Sequence, residues 1–378
     1  MDGQAASDTL RPFRHLPDPR GRNAIHKLHD ILVIAVCAVI CGANGWVAVA
    51  MFGQSKLPWF KTFLDLPDGI PSHDTFGRVF AALDPDSFER CFVAWINGIA
   101  ELSGGRLVAI DGKAIRRSFE HAWDKSGMTH LVSAFVDANH MVFSQVAVKD
   151  KSNEIEAIPR LLGLLDVQGA TVTIDAAGCQ TAIAQQIIDA GGDYVLAVKE
   201  NQPTLHAKIK MLLDEAILQK MKDVRHGFDE TIEADHGRIE TRRVWVTDEV
   251  HWLGELCQQW SGLASVAAVE RKREVLAGAT TVERHYYISS IAGTNAKRLA
   301  EAIRGHWAIE NKLHWQLDVS FREDECRIRK DNGAENFSRL RRLALNLLKR
   351  DKSVKVGIQN KRLKAGWDAH YLLRLLTT

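Results

Sequence analysis

The order of strand-like and helix-like segments between residues 106 and 222 limits the possible folds more than any other feature of this sequence. The buried-type strand RLVAID is followed by HLVSAFVD and MVFSQVAVKD, which flank the short turn DANH and predict a hairpin. A helical pattern, SNEIEAIPRLLGLLD, comes next, and helices then alternate with the strands ATVTIDA and DYVLAVKE. Three antiparallel strands followed by alternating helices and parallel strands predict a mixed sheet covered by helices on both faces.

The rest of the 378-residue chain has segments of different character. Residues 1–100 show helical periodicity with Pro, Gly and Asp at the turns, and predict a helical domain for DNA binding, dimerisation or simple packing. Short β-type segments predict a β-rich insertion at 223–290, between the first part of the core at 101–222 and a core helix at 291–330. A basic helical tail is expected at 331–378.

Composition and hydropathy narrow the class of protein only partly. The net charge of +2 is too small to demand or exclude a polyanionic partner. The longest apolar run, ILVIAVCAVICGA at 31–43, is shorter than the ~20 residues that span a bilayer, so it predicts a buried helix and no membrane association. The six cysteines show no metal-binding spacing, which favours a reducing cytoplasm.

Two aspartates follow strands that can lie side by side in such a sheet. Asp111 ends the strand pattern VAID, and Asp175 ends VTID. Ligands of open α/β sheets bind beyond the carboxyl ends of parallel strands, and two neighbouring carboxylates repel each other unless a cation lies between them. A single aspartate at a strand end is often only a turn former or a helix cap, but two in matched positions predict a divalent metal site.

A third acid lies in the predicted helix from about Asn295 to Leu317. With 3.6 residues per turn, one face of this helix carries Leu299, Ile303, His306, Glu310, Leu313 and Leu317. Glu310 is therefore expected within an apolar stripe, where an unpaired carboxylate is costly. Either a core arginine or a metal ion held by Asp111 and Asp175 would satisfy it, and oxygen ligands suit Mg²⁺ or Mn²⁺.

Six sequence blocks, taken in order, carry a family resemblance: AIDGKAIR, KSNEIEAIP, TIDAAGCQ, YVLAVKENQP, HGRIETRR and HWAIENKLHWQLDVSFREDE. Together they resemble DDE-type insertion-sequence transposases, and specifically the branch that includes the H-repeat-associated proteins. The resemblance covers nearly the whole chain. It implies an α/β fold with an RNase H-like mixed sheet flanked by helices, a β-rich insertion and an N-terminal helical domain.

The resemblance also implies a reaction and its ligands. It assigns the acidic triad to Asp111, Asp175 and Glu310, which would hold two Mg²⁺ (or Mn²⁺) ions and catalyse cleavage and strand transfer at terminal inverted repeats. The implied partners are double-stranded DNA, as element ends and as target, and a second copy of the chain in a homodimeric synaptic complex. The implied location is the bacterial cytoplasm, in association with the nucleoid.

The residues around the third acid depart from the wider family. Related transposases have Tyr, Arg and Lys where this sequence has Ile303, His306 and Leu317. The H-repeat branch instead places His306, Asn311 and His314 around the glutamate, and these three are candidate DNA contacts. No role of the missing Tyr and Lys is transferred to this chain.

Basic residues supply further candidate DNA contacts. Those outside the tail are Lys113, Arg116, Lys199, Arg238 and Arg242. In the tail, RLRRLALNLLKR has the pattern of a basic amphipathic helix whose leucines would anchor it while Arg339, Arg341 and Arg342 face phosphates. Docking of this helix on a partner subunit is the alternative.

The sequence leaves two other functions open. His306, Glu310 and His314 are spaced i, i+4 and i+8 and could form the zinc site of a metallohydrolase, although the pattern is not H-E-x-x-H. The second alternative is an inactive or domesticated transposase that binds DNA without cutting it. The presence of all three acids favours an active enzyme.

Overall fold

The computed structural model of the chain describes residues 10–21, 23–99, 107–118, 128–136, 140–148, 154–235, 237–275 and 278–377. The chain divides into two compact units. The terminal unit consists of Met1–Leu102, Gly112–Asn153 and Glu310–Thr378, and the central unit consists of Ser103–Asp111 and Glu154–Ile309. The domain boundaries predicted from the sequence were placed where its composition changes, and they do not coincide with the borders of these two units. The predicted domains stay predictions.

Nine strands are present in the described residues. Their bounds are β1 Leu107–Ala114, β2 His130–Val136, β3 Met141–Val148, β4 Thr171–Ile174, β5 Asp193–Val198, β6 Gly227–Asp235, β7 Arg238–Thr247, β8 Ser265–Val275 and β9 Thr280–Ser289. They form one mixed sheet in the order β3-β2-β1-β4-β5-β9-β8-β7-β6. Strands β1, β4 and β5 are parallel, β2 and β3 are antiparallel, and β6 to β9 form an antiparallel series that joins β5 through β9.

The same residues form fourteen α-helices around this sheet. Their bounds are α1 Leu28–Ile40, α2 Trp46–Ser55, α3 Leu57–Phe60, α4 His73–Ala82, α5 Pro85–Ile99, α6 Glu154–Leu162, α7 Thr181–Asp189, α8 Pro203–Leu218, α9 Glu255–Gln259, α10 Ala296–Ala308, α11 Trp315–Val319, α12 Gly333–Arg350, α13 Ile358–Trp367 and α14 Ala369–Thr377. A π-helical segment, Ile309–His314, connects α10 to α11.

The predicted α/β class, with a mixed sheet flanked by helices, is confirmed, and the RNase H-like assignment stays a prediction. The predicted hairpin is the pair of β2 and β3, and the strands predicted to lie side by side are β1 and β4. The β-type segments predicted within 223–290 form β6 to β9. Because β9 pairs with β5, these four strands extend the same sheet and do not form a separate one.

Helix α10 packs on the sheet of the central unit. Its apolar side belongs to a buried cluster that includes Val195, Val244, Val246, Ala267, Leu299 and Ile303. The helix also comes close to β1, because a Cβ atom at Gly305 would clash with the side chain of Leu107. A larger residue at this position would require the Leu107 side chain to move, so the last turn of α10 lies close beside the strand that carries Asp111.

The N-terminal helices of the terminal unit follow the sequence predictions. The apolar run at 31–43 forms most of α1, and its residues from 31 to 40 are at most 1% exposed. Helix α4 begins after Ser72, whose hydroxyl accepts a hydrogen bond from the Thr75 backbone N–H and so caps the helix. Within the described ranges, no helix combines the length and the apolar character that crossing a bilayer requires.

Helix α12 lies in the interior of the terminal unit. It packs against α1, α4, α5 and β3, and every residue from Asn336 to Leu348 is buried. Arg339, Arg341 and Arg342 are 1%, 0% and 0% exposed. The prediction that these arginines contact phosphates is therefore wrong, and the helix docks within its own chain.

Buried acids explain why three arginines can occupy this interior. Arg339 donates a 2.7 Å hydrogen bond to Glu89 of α5. Arg342 donates to Glu323 at 3.1 Å, and Arg341 Nη1 lies 3.8 Å from the same carboxylate oxygen. Such anionic partners offset the cost of burying a cation. The charge pattern of one helix cannot reveal them, because the acids lie in other parts of the sequence.

Buried side chains also bond to the edge strand β3. The Asn346 amide of α12 accepts a hydrogen bond from the Val142 N–H at 3.0 Å and donates one to the Val142 carbonyl at 2.8 Å. Glu89 accepts from the Gln145 N–H at 2.8 Å and from the Ser144 hydroxyl at 2.7 Å. These bonds satisfy backbone groups that an edge strand would otherwise leave unpaired.

Replacement of Asn346 should test this arrangement. Asn346→Leu removes both bonds to Val142 and leaves two buried backbone groups without partners, so we expect unfolding free energy to fall by about 2–4 kcal/mol. Urea denaturation measures the change. The matched control is Asn360→Leu at an exposed position of α13, which should change stability by less than about 0.5 kcal/mol. Equal effects of the two substitutions would show that the edge bonds do not contribute.

Candidate functional site

Asp111 and Asp175 follow residues that are paired on two neighbouring parallel strands. Ile110 of β1 lies opposite Ile174 of β4, and the next residue of each strand is an aspartate. Neighbouring strands are ~4.8 Å apart, so the two aspartates lie close together. One detail differs from the prediction: β1 continues past the shorter β4 to Ala114, so Asp111 follows the paired segment but does not end the strand.

Asp175 is exposed and caps a short turn. Its Oδ1 accepts hydrogen bonds from the backbone N–H groups of Ala177 and Gly178, at 3.1 and 3.4 Å, at the start of the 3₁₀ turn Ala176–Gly178. The capping role that the sequence analysis weighed against metal binding is therefore present. Both bonds end on Oδ1, and among the described residues no hydrogen bond reaches Oδ2. One oxygen thus orients the carboxylate while the other can act as a ligand.

His306 connects α10 to the strand that precedes Asp175. Its Nδ1 lies 3.2 Å from the Thr173 hydroxyl oxygen. Burial lowers the pKa of His306, and the nearby charge of Asp175 only partly opposes this shift. The imidazole is therefore held largely neutral at pH 7, and it fixes the helix beside the two aspartates. Its proposed contact with DNA stays a prediction.

Glu310 does not lie in the apolar stripe where the sequence analysis placed it. The predicted continuous α-helix is interrupted by the π-helical segment, in which each hydrogen bond spans one more residue. As a result, Ile309 takes the buried position and Glu310 is exposed, while Leu313 and Leu317 remain buried. The expectation that Glu310 needs a core partner is therefore wrong. Segments of this type occur frequently at functional sites.

The structure brings two of the three predicted acids together. Asp111 and Asp175 belong to the central unit, whereas Glu310 is the first residue of the last segment of the terminal unit. Among the described residues, no group of three or more His, Cys, Asp and Glu side chains is placed to hold a metal ion. Neither the acidic triad nor the zinc set of His306, Glu310 and His314 forms such a group in the described residues.

A cavity of about 500 Å³ lies directly after Asp175, at the carboxyl ends of β4 and β5. It is lined by Ala176, Ala177, Val198, Lys199, Glu200, Asn201, His206, Arg284, His285 and Tyr286. Arg284 is ion-paired with Asp214 and Glu270, whereas Lys199 is exposed directly after β5. The ends of parallel strands are where open α/β sheets bind ligands. The arrangement suits an anionic group beside the aspartates.

Lys199 was predicted from the sequence as a DNA contact, but the other polar residues that line this cavity were not predicted as site residues. Arg284 and His285 come from β9, and His206 comes from α8. Their contribution depends on the pairing of Val198 with Tyr286, which joins β5 to a strand almost ninety residues later. No local signal in the sequence predicts that pairing.

The remaining candidate DNA contacts have different environments. Lys113 is only 10% exposed and forms ion pairs with acids between residues 318 and 324, so the prediction that it contacts phosphate is wrong. The side chains of Arg116, Arg238 and Arg242 are 79%, 41% and 28% exposed. Their roles, and those of the exposed Asn311 and of His314, stay predictions.

Two protein-family descriptions match the sequence. The family "DDE_Tnp_1-associated" matches residues 10–96, and "Transposase DDE domain" matches residues 102–347. The second match contains all three predicted acids and the whole nine-stranded sheet.

Relatives extend over almost the whole chain. The H repeat-associated putative transposase YhhI of Escherichia coli (strain K12) is 40% identical over 357 residues, which cover 93% of this chain and 92% of the relative. The putative transposase YncI of Escherichia coli O157:H7 is 41% identical over 366 residues, covering 96% and 93%. A solved structure, the cryo-EM structure of piggyBac transposase synaptic complex with hairpin DNA, aligns with 99% of this chain and 77% of its own at 9% identity and a TM-score of 0.41.

Titration of His306 gives a test of its burial. In the unfolded chain the imidazole takes up a proton near pH 6.5, whereas in the fold its lowered pKa keeps it neutral. The stabilising effect is therefore complete above pH 6.5 and is lost as the pH falls below that value. We expect the wild type to lose more stability than His306→Gln between about pH 7.5 and about pH 5.5 in urea denaturation. His251→Gln, at an exposed position, is the control; parallel pH profiles for wild type and His306→Gln would contradict the assignment.

Proposed function

We propose that this chain, which belongs to the DDE transposase family, cleaves DNA at the terminal inverted repeats of an insertion sequence and joins the freed ends to target DNA. Family membership follows from the match of the transposase DDE domain to residues 102–347 and from relatives at about 40% identity. The observation that carries the proposed reaction is the position of Asp111 and Asp175 after paired residues of β1 and β4.

We assign the catalytic acids to Asp111, Asp175 and Glu310. The two aspartates present only oxygen ligands, lie on adjacent strands, and would repel each other without a cation, so they fit a hard divalent ion such as Mg²⁺ or Mn²⁺. Glu310 is exposed and is assigned as the third ligand. When bound, a pair of such ions activates a water or a 3′-hydroxyl and stabilises the leaving oxygen.

The protein's own residues hold and orient these acids. The backbone N–H groups of Ala177 and Gly178 fix Oδ1 of Asp175, so its carboxylate enters the reaction already oriented. His306 of α10 contacts Thr173, which lies two residues before Asp175 in the sequence. These contacts reduce the freedom of the acids before DNA arrives, which lowers the entropic cost of reaching the reactive geometry.

The cavity after Asp175 supplies a place for the DNA backbone. Lys199 lines it, and a cationic side chain of this kind positions a phosphate without reading sequence. The exposed side chains of Arg116 and Arg238 are further candidate phosphate contacts. We further propose that the chain acts as a homodimer on double-stranded element ends and target DNA, in the bacterial cytoplasm at the nucleoid, with the helices of residues 1–100 serving DNA binding or dimerisation.

The first test removes the acids one at a time. Asp111→Asn, Asp175→Asn and Glu310→Gln should each abolish cleavage of the element ends in Mn²⁺, because each loses a charged ligand. Binding of the ends should stay within about tenfold of wild type, since phosphate and base contacts lie elsewhere. Incubation of the purified protein with DNA that carries its own flanking ends measures both quantities.

Two exposed acids serve as matched controls for this test. Asp189→Asn at the end of α7 and Glu301→Gln on α10 remove the same charge from the same types of residue and should cleave normally. Cleavage that persists in Asp111→Asn or Asp175→Asn would refute the assignment. Normal binding by a wild type that never cleaves would instead support the inactive, DNA-binding alternative.

A second test concerns the cavity. Lys199→Glu should weaken binding to all DNA sequences and reduce the slope of log affinity against log salt by roughly 0.9 for the lost phosphate contact. Lys220→Glu makes the same charge change at an exposed position beyond the far end of α8 and should have little effect on the slope. Filter binding over a range of salt concentrations measures it. An unchanged slope in Lys199→Glu would exclude this contact.

A further inference from the structure

We infer that Lys113 is a positioning residue for this reaction, because it ties the strand immediately after Asp111 to the segment immediately after Glu310. The inference rests on the proposed function, in which these two acids act together. It gives a role to a buried cation that the proposed reaction does not otherwise use, and it replaces the phosphate contact predicted for Lys113 from the sequence.

Lys113 is close to Asp111 in the chain and is shielded from solvent. It lies two residues later in β1, and residues i and i+2 of a strand point to the same side. Its side chain is 10% exposed. A cation that is shielded from water is stabilised mainly by the acids around it. The positions of those acids therefore show which part of the chain the end of β1 is attached to.

Every ion-pair partner of Lys113 in the described residues comes from one short stretch. The ammonium forms a hydrogen-bonded ion pair with Asp318 and lies 3.5 Å from Glu323 Oε2 and 3.6 Å from Asp324 Oδ1. Asp318 belongs to α11, which directly follows the π-helical segment with Glu310, and the other two open the 3₁₀ turn Glu323–Glu325. One side chain therefore attaches β1 to the segment downstream of the third acid.

Glu323 attaches the same cluster to the interior helix α12. It is 0% exposed, and its second oxygen, Oε1, accepts hydrogen bonds from the Ser338 hydroxyl at 2.8 Å and from Arg342 at 3.1 Å. Burial raises the pKa of Glu323, but Arg342, Lys113 and Arg341 outweigh this effect and lower the pKa to about 2. The carboxylate is therefore charged at neutral pH, and the cluster is anchored at a fixed point of the terminal unit.

Substitution of Lys113 should separate positioning from binding. We expect Lys113→Met to reduce the single-turnover cleavage rate by on the order of 100-fold at saturating DNA and Mn²⁺, because small displacements of reacting groups have effects of this size. Affinity for element ends should stay within about threefold, since Lys113 contacts no DNA in this proposal. Lys113→Arg keeps the charge and should recover the rate to within about tenfold of wild type.

Hydrogen–deuterium exchange gives a readout that does not depend on cleavage. In Lys113→Met, peptides covering residues 107–118 and 310–319 should exchange faster together, because both lose the same attachment. Asp318→Asn is a milder change that can be used if Lys113→Met folds poorly, because it removes one of the three acids around Lys113. It should also make the two peptides exchange faster together. Arg339→Met is the matched control: it breaks the buried ion pair between Arg339 of α12 and Glu89 of α5, and it should lower the melting temperature without altering the exchange of these peptides.

The outcomes distinguish the inference from its premise. Unchanged exchange in both segments, a normal saturated rate in Lys113→Met, or equal effects of Lys113→Met and Arg339→Met would each overturn the positioning role. A wild type that does not cleave would defeat the proposed function, and the exchange data would still decide whether Lys113 joins the two segments.

Discussion

Burial of three guanidinium groups in one helix governs how the terminal unit is built. Anionic partners offset the cost of burying an arginine, and α12 finds them in Glu89 from α5 and Glu323 from the segment before it. Glu89 precedes its partner by 250 residues, which means that the two ends of the chain must meet before these charges are satisfied. The acids are consequently as indispensable to the unit as its apolar residues. Lys113 extends the same charge network to β1.

The pairing of β1 with β4 governs the candidate site in a similar way. A register that places Ile110 opposite Ile174 makes neighbours of two aspartates that are 64 residues apart in sequence, since 175 minus 111 is 64. A shift by one residue would turn one side chain to the other face of the sheet. The close approach of α10 at Gly305 and the contact of His306 with Thr173 hold a helix over this register. The packing of α10 and the placement of the two aspartates therefore depend on neighbouring residues of the same strands.

Local patterns predicted the parts of the molecule that depend on local forces. Strand alternation and turn residues were enough for the hairpin, for the parallel pair with its two aspartates, and for the buried helix α1. The failures have a common physical cause, which is that the decisive partner lies far away in sequence. The arginines of α12 have the pattern of a basic surface helix until Glu89 and Glu323 are known, and the cavity beside Asp175 requires the pairing of β5 with β9. The π-helical segment was missed because a constant 3.6-residue period cannot represent an added residue.

That added residue is taken up inside one short stretch of the chain. Each residue of an α-helix turns the chain by about 100°, but the wider turn at 309–314 accommodates one extra residue without passing that rotation on to the residues that follow. Leu313 and Leu317 therefore stay buried, and Asp318 keeps its ion pair with Lys113. Removal of one residue within this stretch should leave the helix after it in place and change only which side chains of the stretch, Glu310 among them, face solvent.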